Sequence, residues 1–235
     1  TLFIADIHLP HDQVDHPLTQ AFLSFLHTEA TEAKCLYILG DLFDGWLGDD
    51  IGLQQYDTVI SALANYARAG HELWIGHGNR DFLLKQDFFD ATHAHFLAEE
   101  TELDLGSERV VLLHGDSLCT EDHGYQAFRQ QVLSAEWQAQ VLALSVAERL
   151  ALLAKIKSQS QRESTYKTEA MMDVTQEGLD SLWQRHPTCQ HIIHGHTHKP
   201  THHIDQQGRH RWVVGDWHPK GIMLRCTSSD DMQLH

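Results

Sequence analysis

The sequence is short of basic residues and has no long apolar stretch. It contains 17 lysines and arginines against 33 aspartates and glutamates, so its formal net charge is -16. This balance argues against binding to the phosphate backbone of nucleic acids. No apolar run approaches the ~20 residues that a membrane-spanning helix needs. The chain starts in a predicted strand and shows no signal peptide, although the initiator Met is missing.

Cysteine is also sparse, with four residues and no C-x-x-C pair: Cys35, Cys119, Cys189 and Cys226. Since 42% of the 235 residues are hydrophobic, the chain can bury a core without disulfide bonds. We therefore expect reduced thiols in a cytosolic protein. Histidine, in contrast, is abundant at 20 residues. Most of these histidines could lie on the surface, so their positions must decide whether they matter.

The apolar pattern predicts an α/β fold in one domain spanning residues 1–235. Short β-rich runs predict buried strands at 2–5, 35–39, 72–75, 110–113, 191–193 and 212–214. A 3.6-residue apolar period predicts helices at 17–32 and 53–69. The alternation of strands and helices favours a parallel sheet at the N-terminal end. Beyond residue 94 the strands follow one another through short turns, which favours antiparallel pairing there.

Five of the six predicted strands end directly in a polar cluster. Since ligands gather beyond the carboxyl ends of parallel strands, these clusters are expected to meet at one edge. They supply seven candidate metal ligands: Asp6, His8, Asp41, Asn79, His114, His194 and His196. Imidazole nitrogen and carboxyl or amide oxygen, without thiolate, suit Mn, Fe, Zn or Mg. Seven ligands suit two ions that share a carboxylate, and Asp41 is the natural bridge. The alternative, independent surface histidines, requires that these segments are not neighbours in space.

The order of these motifs, D-x-H, G-D-x-x-D, G-N, H-G-D and G-H-T-H, resembles the calcineurin-like metallophosphoesterases. The resemblance covers nearly the whole chain. It implies a four-layer αββα sandwich of two mixed sheets with a binuclear metal centre. Carried onto this sequence, it gives one metal the ligands Asp6, His8, Asp41 and His196. It gives the other metal Asp41, Asn79, His114 and His194.

Longer matches at residues 37–43, 77–83, 114–120, 124–129 and 172–174 resemble a narrower family, the pyrophosphohydrolases of UDP-2,3-diacylglucosamine in the lipid A pathway of Gram-negative bacteria. This resemblance implies hydrolysis at the α-phosphorus to UMP and 2,3-diacylglucosamine 1-phosphate, with two divalent ions, usually Mn²⁺. It also implies peripheral association with the cytoplasmic face of the inner membrane, and we expect a monomer. The implied catalytic residues are Asp41, Asn79, Arg80 and His114. The implied substrate contacts are Asn79, Arg80, Asp122, Tyr125, Ser160, Ser164, Lys167 and His194.

Arg80 stands where many members of the superfamily have a histidine that can protonate a leaving group. Arginine cannot act as an acid near neutral pH, but it can neutralise diphosphate charge through paired hydrogen bonds. A sugar-1-phosphate is already a stable anion and needs little protonation to leave. Arg80 therefore favours a diphosphate substrate.

Residues 122–185 form an insertion between two site-bearing strands, with an apolar stripe at helical spacing from Val132 to Ile156. Within 129–167 there are six basic and three acidic residues. We expect a helical cap whose inner face takes acyl chains, with basic residues toward phosphate or membrane. Plain core packing of the stripe is the alternative.

Two other functions remain open at this point. One is a generic phosphodiesterase or phosphoprotein phosphatase on the same metal site, which G-N-H in place of G-N-R would have favoured. The other is a non-catalytic binding module, although such proteins tend to lose ligands and all seven positions are filled here.

Overall fold

A computed structural model describes residues 1–164, 166–217, 221–228 and 231–235, without the side chains of residues 161, 163, 164, 169, 170 and 228. The side chain of Ser164, one of the expected substrate contacts, therefore lies outside the described residues. Eleven strands occur in the described chain: β1 (Leu2–Ile4), β2 (Cys35–Ile38), β3 (Glu72–Gly76), β4 (His95–Leu97), β5 (Thr101–Leu105), β6 (Glu108–Leu112), β7 (His191–His194), β8 (Thr201–Ile204), β9 (His210–Val213), β10 (Leu224–Ser228) and β11 (Asp231–Leu234).

Eight α-helices accompany them in the same described ranges: α1 (Pro17–His27), α2 (Asp49–Gln55), α3 (Asp57–Arg68), α4 (Gln86–Thr92), α5 (His123–Val132), α6 (Ala135–Leu142), α7 (Val146–Ser164) and α8 (Gln176–Arg185). Short 3₁₀ helices span Glu29–Glu32, Asp116–Leu118 and Glu169–Met172. Among the helices of the described chain, none is both long and apolar enough to cross a bilayer.

The strands form two mixed sheets, which confirms the expected fold class. One sheet has the order β11-β10-β1-β2-β3-β4, and the other has the order β5-β6-β7-β9-β8. In the first, β1 to β4 run parallel. In the second, β6, β7 and β9 run parallel while β5 and β8 pair antiparallel at the edges.

The expectation of an antiparallel second half was therefore wrong for its centre. The short turns at residues 104–107 and 206–209 do close the hairpins β5–β6 and β8–β9, respectively. However, β6 and β7 are joined by a long helical crossover, and such a connection returns the chain in the same direction. The carboxyl ends of β6 and β7 consequently lie at the same edge, as the site requires.

The helix boundaries also differ from the apolar period. The helix predicted at 17–32 ends as α-helix at His27 and continues as 3₁₀ helix. The helix predicted at 53–69 is two helices separated at Tyr56, whose ring packs against Phe43 and Trp46. Burial of the Tyr56 ring holds the break between the two helices in place, and the apolar period of the sequence does not reveal this break.

Three apolar clusters hold the layers together. Phe3, Ile193 and Trp212 belong to the cluster between the two sheets. Helices α1 and α3 bury their apolar faces on the outer side of the first sheet. Leu182 and Trp183 of α8 cover the outer side of the second. The four cysteines are free and buried.

Helix α8 packs against the second sheet as a layer of the sandwich. The other three helices of the segment between β6 and β7 are α5, α6 and α7, and they lie over the strand ends that carry the candidate ligands. They are tied to the body by ion pairs. Arg149 of α7 is buried and meets Asp50 at 2.5 Å, and Lys157 meets Asp44 at 2.6 Å. We call α5 to α7 the cap.

Candidate metal centre and substrate groove

The candidate ligands follow the strands of both sheets at one edge. Asp6 and His8 come after β1, and Asp41 comes after β2. All three have positive φ, at 54°, 54° and 51°, and so do His196 at 69° and His198 at 54°. Non-glycine residues rarely adopt this conformation, and it costs on the order of 1 kcal/mol or more per residue. Such strain in one cluster is typical of a functional site, where the fold aims side chains at a common point.

Asp41 has the geometry of a bridge between two sets of ligands. Its Oδ1 accepts the backbone N–H of Arg80 at 2.7 Å. Its Oδ2 lies 3.8 Å from Nε2 of His8 and 3.8 Å from Nε2 of His114. One oxygen is thus fixed by the backbone, and the other faces both sets equally.

The first set combines Asp6, His8 and His198, whose ligand atoms all lie within 4.8 Å of one another. Nε2 of His8 is 3.1 Å from Nε2 of His198, which is 3.7 Å from Oδ1 of Asp6. The other oxygen of Asp6 accepts the N–H of His196 at 2.8 Å. Within the described part of the chain, Oδ1 of Asp6 is buried without a hydrogen-bond partner. A buried carboxylate oxygen is costly without a partner, and a cation would provide one.

The second set gathers around Asn79. Its Oδ1 lies 3.1 Å from Nε2 of His114 and 2.9 Å from Nδ1 of His196. The opposite nitrogen of His114, Nδ1, donates to the carbonyl of Leu39 at 2.9 Å, which orients the ring so that Nε2 faces the cluster and can serve as a metal ligand. With Asp41, this set offers one carboxylate, one amide oxygen and two imidazoles.

The structure departs from the expected ligand sets at the last motif. His194 is fully buried, with Nδ1 against the carbonyl of Gly195 at 2.8 Å and Nε2 against Arg211 at 3.2 Å. Both of its ring nitrogens are engaged away from the two sets. His196 occupies the place expected for His194, and His198 occupies the place expected for His196. The motif G-H-T-H itself starts at Gly195, and this was the sequence signal for the shift.

Asp81 is a second residue that sequence reasoning passed over. Its fully buried carboxylate accepts the backbone N–H groups of Gly78 at 2.7 Å and Leu42 at 2.8 Å, and those of Asp41 and Phe43 at 3.3 Å. It therefore locks the loop after β2 onto the loop after β3. A Cβ at Gly78 would collide with Oδ1 of Asp41, so these two loops can meet only because this position is glycine.

Burial dominates the electrostatics of the cluster. It raises the pKa of Asp6 to about 8, and together with the nearby Asp81 it holds the pKa of Asp41 well above its usual range. Burial also lowers the pKa of His196 to about 3. In the chain alone, burial thus favours the uncharged forms of these three groups. Neutral imidazole is the form that binds metals, and divalent cations would restore the ionised carboxylates.

An apolar groove runs from these ligands under the cap. Asn79 and Arg80 line its mouth, and its other lining residues are mostly apolar: Trp46, Leu47, Phe82, Leu83, Phe128, Trp137, Val141, Leu152, Leu153 and Ile156. Among the described residues, the guanidinium of Arg80 has no hydrogen-bond or ion-pair partner. An uncommitted cation at the mouth of an apolar groove is suited to an anion that carries apolar chains.

Of the other expected substrate contacts, some line the groove and some do not. Ser160 and Lys167 line the groove, and Lys167 pairs with the buried Asp122 at 2.8 Å. Tyr125 also lines it, but its hydroxyl donates to Asp116 at 2.5 Å and its ring stacks on His196. His194 is not at the groove.

The basic residues of the insertion mostly bind the cap to the body. Arg129 pairs with Asp116 at 2.8 Å and also with Glu99. Arg149, Lys157 and Lys167 pair with Asp50, Asp44 and Asp122, as described above. At least these four of the six basic residues between 129 and 167 are thus committed within the chain, and Arg162 has a partner as well.

Parallel strands of the two sheets end at one point, where they bring together carboxylates, an amide and imidazoles. This arrangement is that of a metallophosphoesterase. The family model for calcineurin-like phosphoesterases matches residues 1–200. The chain belongs to this family.

Closer relatives narrow the assignment. A UDP-2,3-diacylglucosamine hydrolase of Chromohalobacter salexigens is 43% identical over 222 residues, which are 93% of this chain and 89% of that one. Proteins of the same name from Cellvibrio japonicus and Escherichia coli are 42% and 41% identical, over 97% and 100% of this chain and 95% and 98% of theirs. Within its family, the chain belongs with the UDP-2,3-diacylglucosamine hydrolases.

Proposed function

We propose that the chain hydrolyses the diphosphate of UDP-2,3-diacylglucosamine at the α-phosphorus, giving UMP and 2,3-diacylglucosamine 1-phosphate in lipid A biosynthesis. The observation that carries the proposal is the junction of the metal centre with the apolar groove at Asn79 and Arg80. A nucleotide diphosphate with two acyl chains needs both features side by side. A phosphoprotein phosphatase would not need the apolar groove, so the generic alternatives are less favoured.

The residues present fit two divalent ions that share Asp41. One would be held by Asp6, His8, Asp41 and His198, and the other by Asp41, Asn79, His114 and His196. Oxygen and nitrogen donors without thiolate suit Mn²⁺, the metal we propose. Such ions supply positive charge that favours phosphate binding and lowers the pKa of a water.

The chain's own residues orient the substrate. Arg80 presents a planar fork of N–H donors to the diphosphate and stabilises the charge that builds up on its oxygens. Arg80 cannot supply a proton near neutral pH, and the departing sugar-1-phosphate needs none. Lys167 and Ser160, which line the groove, are proposed to meet the polar headgroup together with Asp122, which is 2.8 Å from Lys167. Ser164 remains a proposed contact by resemblance alone.

Replacing Arg80 should lower the rate without affecting the fold. Arg80→Ala is expected to lower kcat/KM by roughly 10²-fold, the usual cost of losing one donor to a developing oxyanion. Arg80→Lys keeps the charge but loses the fork, so it should recover only part of the loss. Steady-state kinetics with the lipid substrate measure both, and Arg68→Ala on the exposed surface is the matched control. Wild-type kinetics for Arg80→Ala would show that this arginine does not contact the diphosphate.

The acyl chains are proposed to lie in the groove under the cap, between Trp137, Leu152 and Leu153 on one side and Trp46 and Phe82 on the other. Apolar burial contributes about 0.8 kcal/mol per CH₂ group. The groove would therefore anchor the glucosamine end and hold the diphosphate over the metal centre in one register.

A charge in the groove should selectively weaken binding of long acyl chains. Leu153→Glu is expected to raise KM for the diacylated substrate about tenfold or more, because an unpaired carboxylate would be buried against the chains. Ala154→Glu is the matched control, since Ala154 is on the same helix but is exposed and does not line the groove. Kinetics on substrates with long and short chains separate the effects. Equal KM increases for both variants would place the chains outside the groove.

The direct test of the function uses purified protein, Mn²⁺ and UDP-2,3-diacylglucosamine. We expect UMP and the lipid monophosphate in equal amounts, and no turnover after chelation of the metal. Release of inorganic phosphate, or turnover of simple phosphodiesters at a higher kcat/KM, would favour the generic phosphoesterase instead.

We also propose that the chain acts as a monomer at the cytoplasmic face of the inner membrane, where such a substrate resides. Val146 and Leu150 at the start of α7 are 47% and 41% exposed on the cap. Their exposure on the cap, which covers the groove, supports a peripheral contact through which a lipid could enter.

A further inference from the structure

A second group of possible metal ligands lies on the outer face of the second sheet, where α8 ends. Glu102 of β5, His186 after α8 and Cys189 before β7 bring a carboxylate oxygen, a ring nitrogen and a thiol sulfur within 4.8 Å of one another. No member of this group belongs to the catalytic centre. The donors come from three separate points of the chain.

A tight turn holds two of the donors on one side. The N–H of Cys189 donates to the carbonyl of His186 at 3.1 Å, so the two side chains are brought together with two residues between them. This spacing is common in zinc sites, where a short turn presents neighbouring ligands to one ion. Cys189 is 1% exposed, and the side chain of His186 is 13% exposed. The turn therefore offers a sheltered thiol with an imidazole at its mouth.

The carboxylates around the group are held in place by arginines. Arg109 binds Oε2 of Glu102 at 3.2 Å, which leaves Oε1 facing Nδ1 of His186 at 2.6 Å. Arg185 likewise holds Glu100, whose Oε2 meets Nε2 of His186 at 2.7 Å. Both ring nitrogens of His186 thus face carboxylates, so an ion would have to displace one of these contacts together with its proton, while the remaining contact orients the ring.

We propose that Glu102, His186 and Cys189 bind one divalent ion of thiolate-preferring type, Zn²⁺ foremost. Thiolate and carboxylate together would balance its two positive charges, and the ion would replace one contact between His186 and a carboxylate. Sulfur makes the site chemically distinct from the catalytic centre, which has nitrogen and oxygen donors and suits harder ions. The ion would tie β5 to the turn between α8 and β7 and stabilise that edge of the sandwich.

The test uses the spectrum of a metal–thiolate bond, which the catalytic centre cannot produce. The full chain is first saturated with Mn²⁺ and then titrated with Cd²⁺, a thiolate-binding probe. We expect an ultraviolet charge-transfer band, read from difference spectra, that saturates at one Cd²⁺ per chain. Cys189→Ser should abolish the band, whereas Cys35→Ser, which removes another buried thiol, should keep it.

A second variant covers the case in which Cys189→Ser does not fold. His186→Gln leaves the thiol in place and should weaken Cd²⁺ binding at least tenfold, as loss of one ligand does. The absence of any band in the wild-type chain would overturn the proposal. A band that persists in Cys189→Ser, or unchanged Cd²⁺ affinity in His186→Gln, would overturn it as well.

Discussion

Asp41→Asn is expected to remove tight binding of both metal ions and to lower turnover by several orders of magnitude. Oδ1 of Asp41 is held by the N–H of Arg80, and Oδ2 lies 3.8 Å from a histidine of each ligand set. A single substitution therefore affects two sites. Asparagine keeps the shape and one oxygen but lacks the negative charge that two cations would share.

The measurement is the number of Mn²⁺ ions retained per chain after gel filtration, together with steady-state turnover. Circular dichroism checks that the variant is folded. Asp12→Asn provides the same chemical change at an exposed aspartate. A folded Asp41→Asn protein that retains two ions and wild-type turnover would remove the bridge from the model.

His198→Ala should cost one metal ion and most of the activity, whereas His194→Gln should leave two ions bound. His198 lies 3.1 Å from His8 and 3.7 Å from Oδ1 of Asp6, and its side chain is 43% exposed, so the fold should tolerate its loss. His194 is engaged by Gly195 and Arg211, so its replacement should act on stability instead.

Metal content and thermal unfolding of the two variants separate these roles. We expect one ion per chain and little change in Tm for His198→Ala. For His194→Gln we expect two ions and a lower Tm, because the partner of Arg211 is lost. The opposite pattern would restore His194 as the ligand and exclude His198.

The sequence could predict that the candidate ligands converge, because polar residues directly after short apolar runs indicate the carboxyl ends of strands. Asp6, Asp41, Asn79 and His114 each follow a short apolar run, and the rule for parallel sheets places such residues together. The mixed pairing of the second sheet could not be read from turn lengths. It depends on the helical crossover between β6 and β7, and this crossover also contains the helices of the cap.

The histidines of the last motif show a different limit. Residues 194, 196 and 198 repeat with a period of two, so 194 with 196 and 196 with 198 both satisfy the spacing. What separates them is backbone conformation. His194 is the last residue of β7, while His196 and His198 have left-handed φ and turn their rings toward Asn79 and Asp6.

The cap shows how charge in a sequence can be assigned to the wrong partner. An excess of basic residues suggested contacts with phosphate or membrane. In the structure, Arg149 and Lys157 face carboxylates of the body instead. Those carboxylates, Asp50 and Asp44, are about 100 residues away along the chain, and no local pattern connects them.

We propose that water attacks the uridine-side phosphorus of UDP-2,3-diacylglucosamine. Attack there expels the sugar-1-phosphate, which leaves as a stable anion without a general acid. Attack at the other phosphorus would expel UMP, also a fair leaving group, so the register set by the groove must decide. Hydrolysis in ¹⁸O-labelled water with mass spectrometry of both products measures this directly. We expect ¹⁸O in UMP and none in 2,3-diacylglucosamine 1-phosphate, whereas ¹⁸O in the lipid product would show that water attacks the other phosphorus.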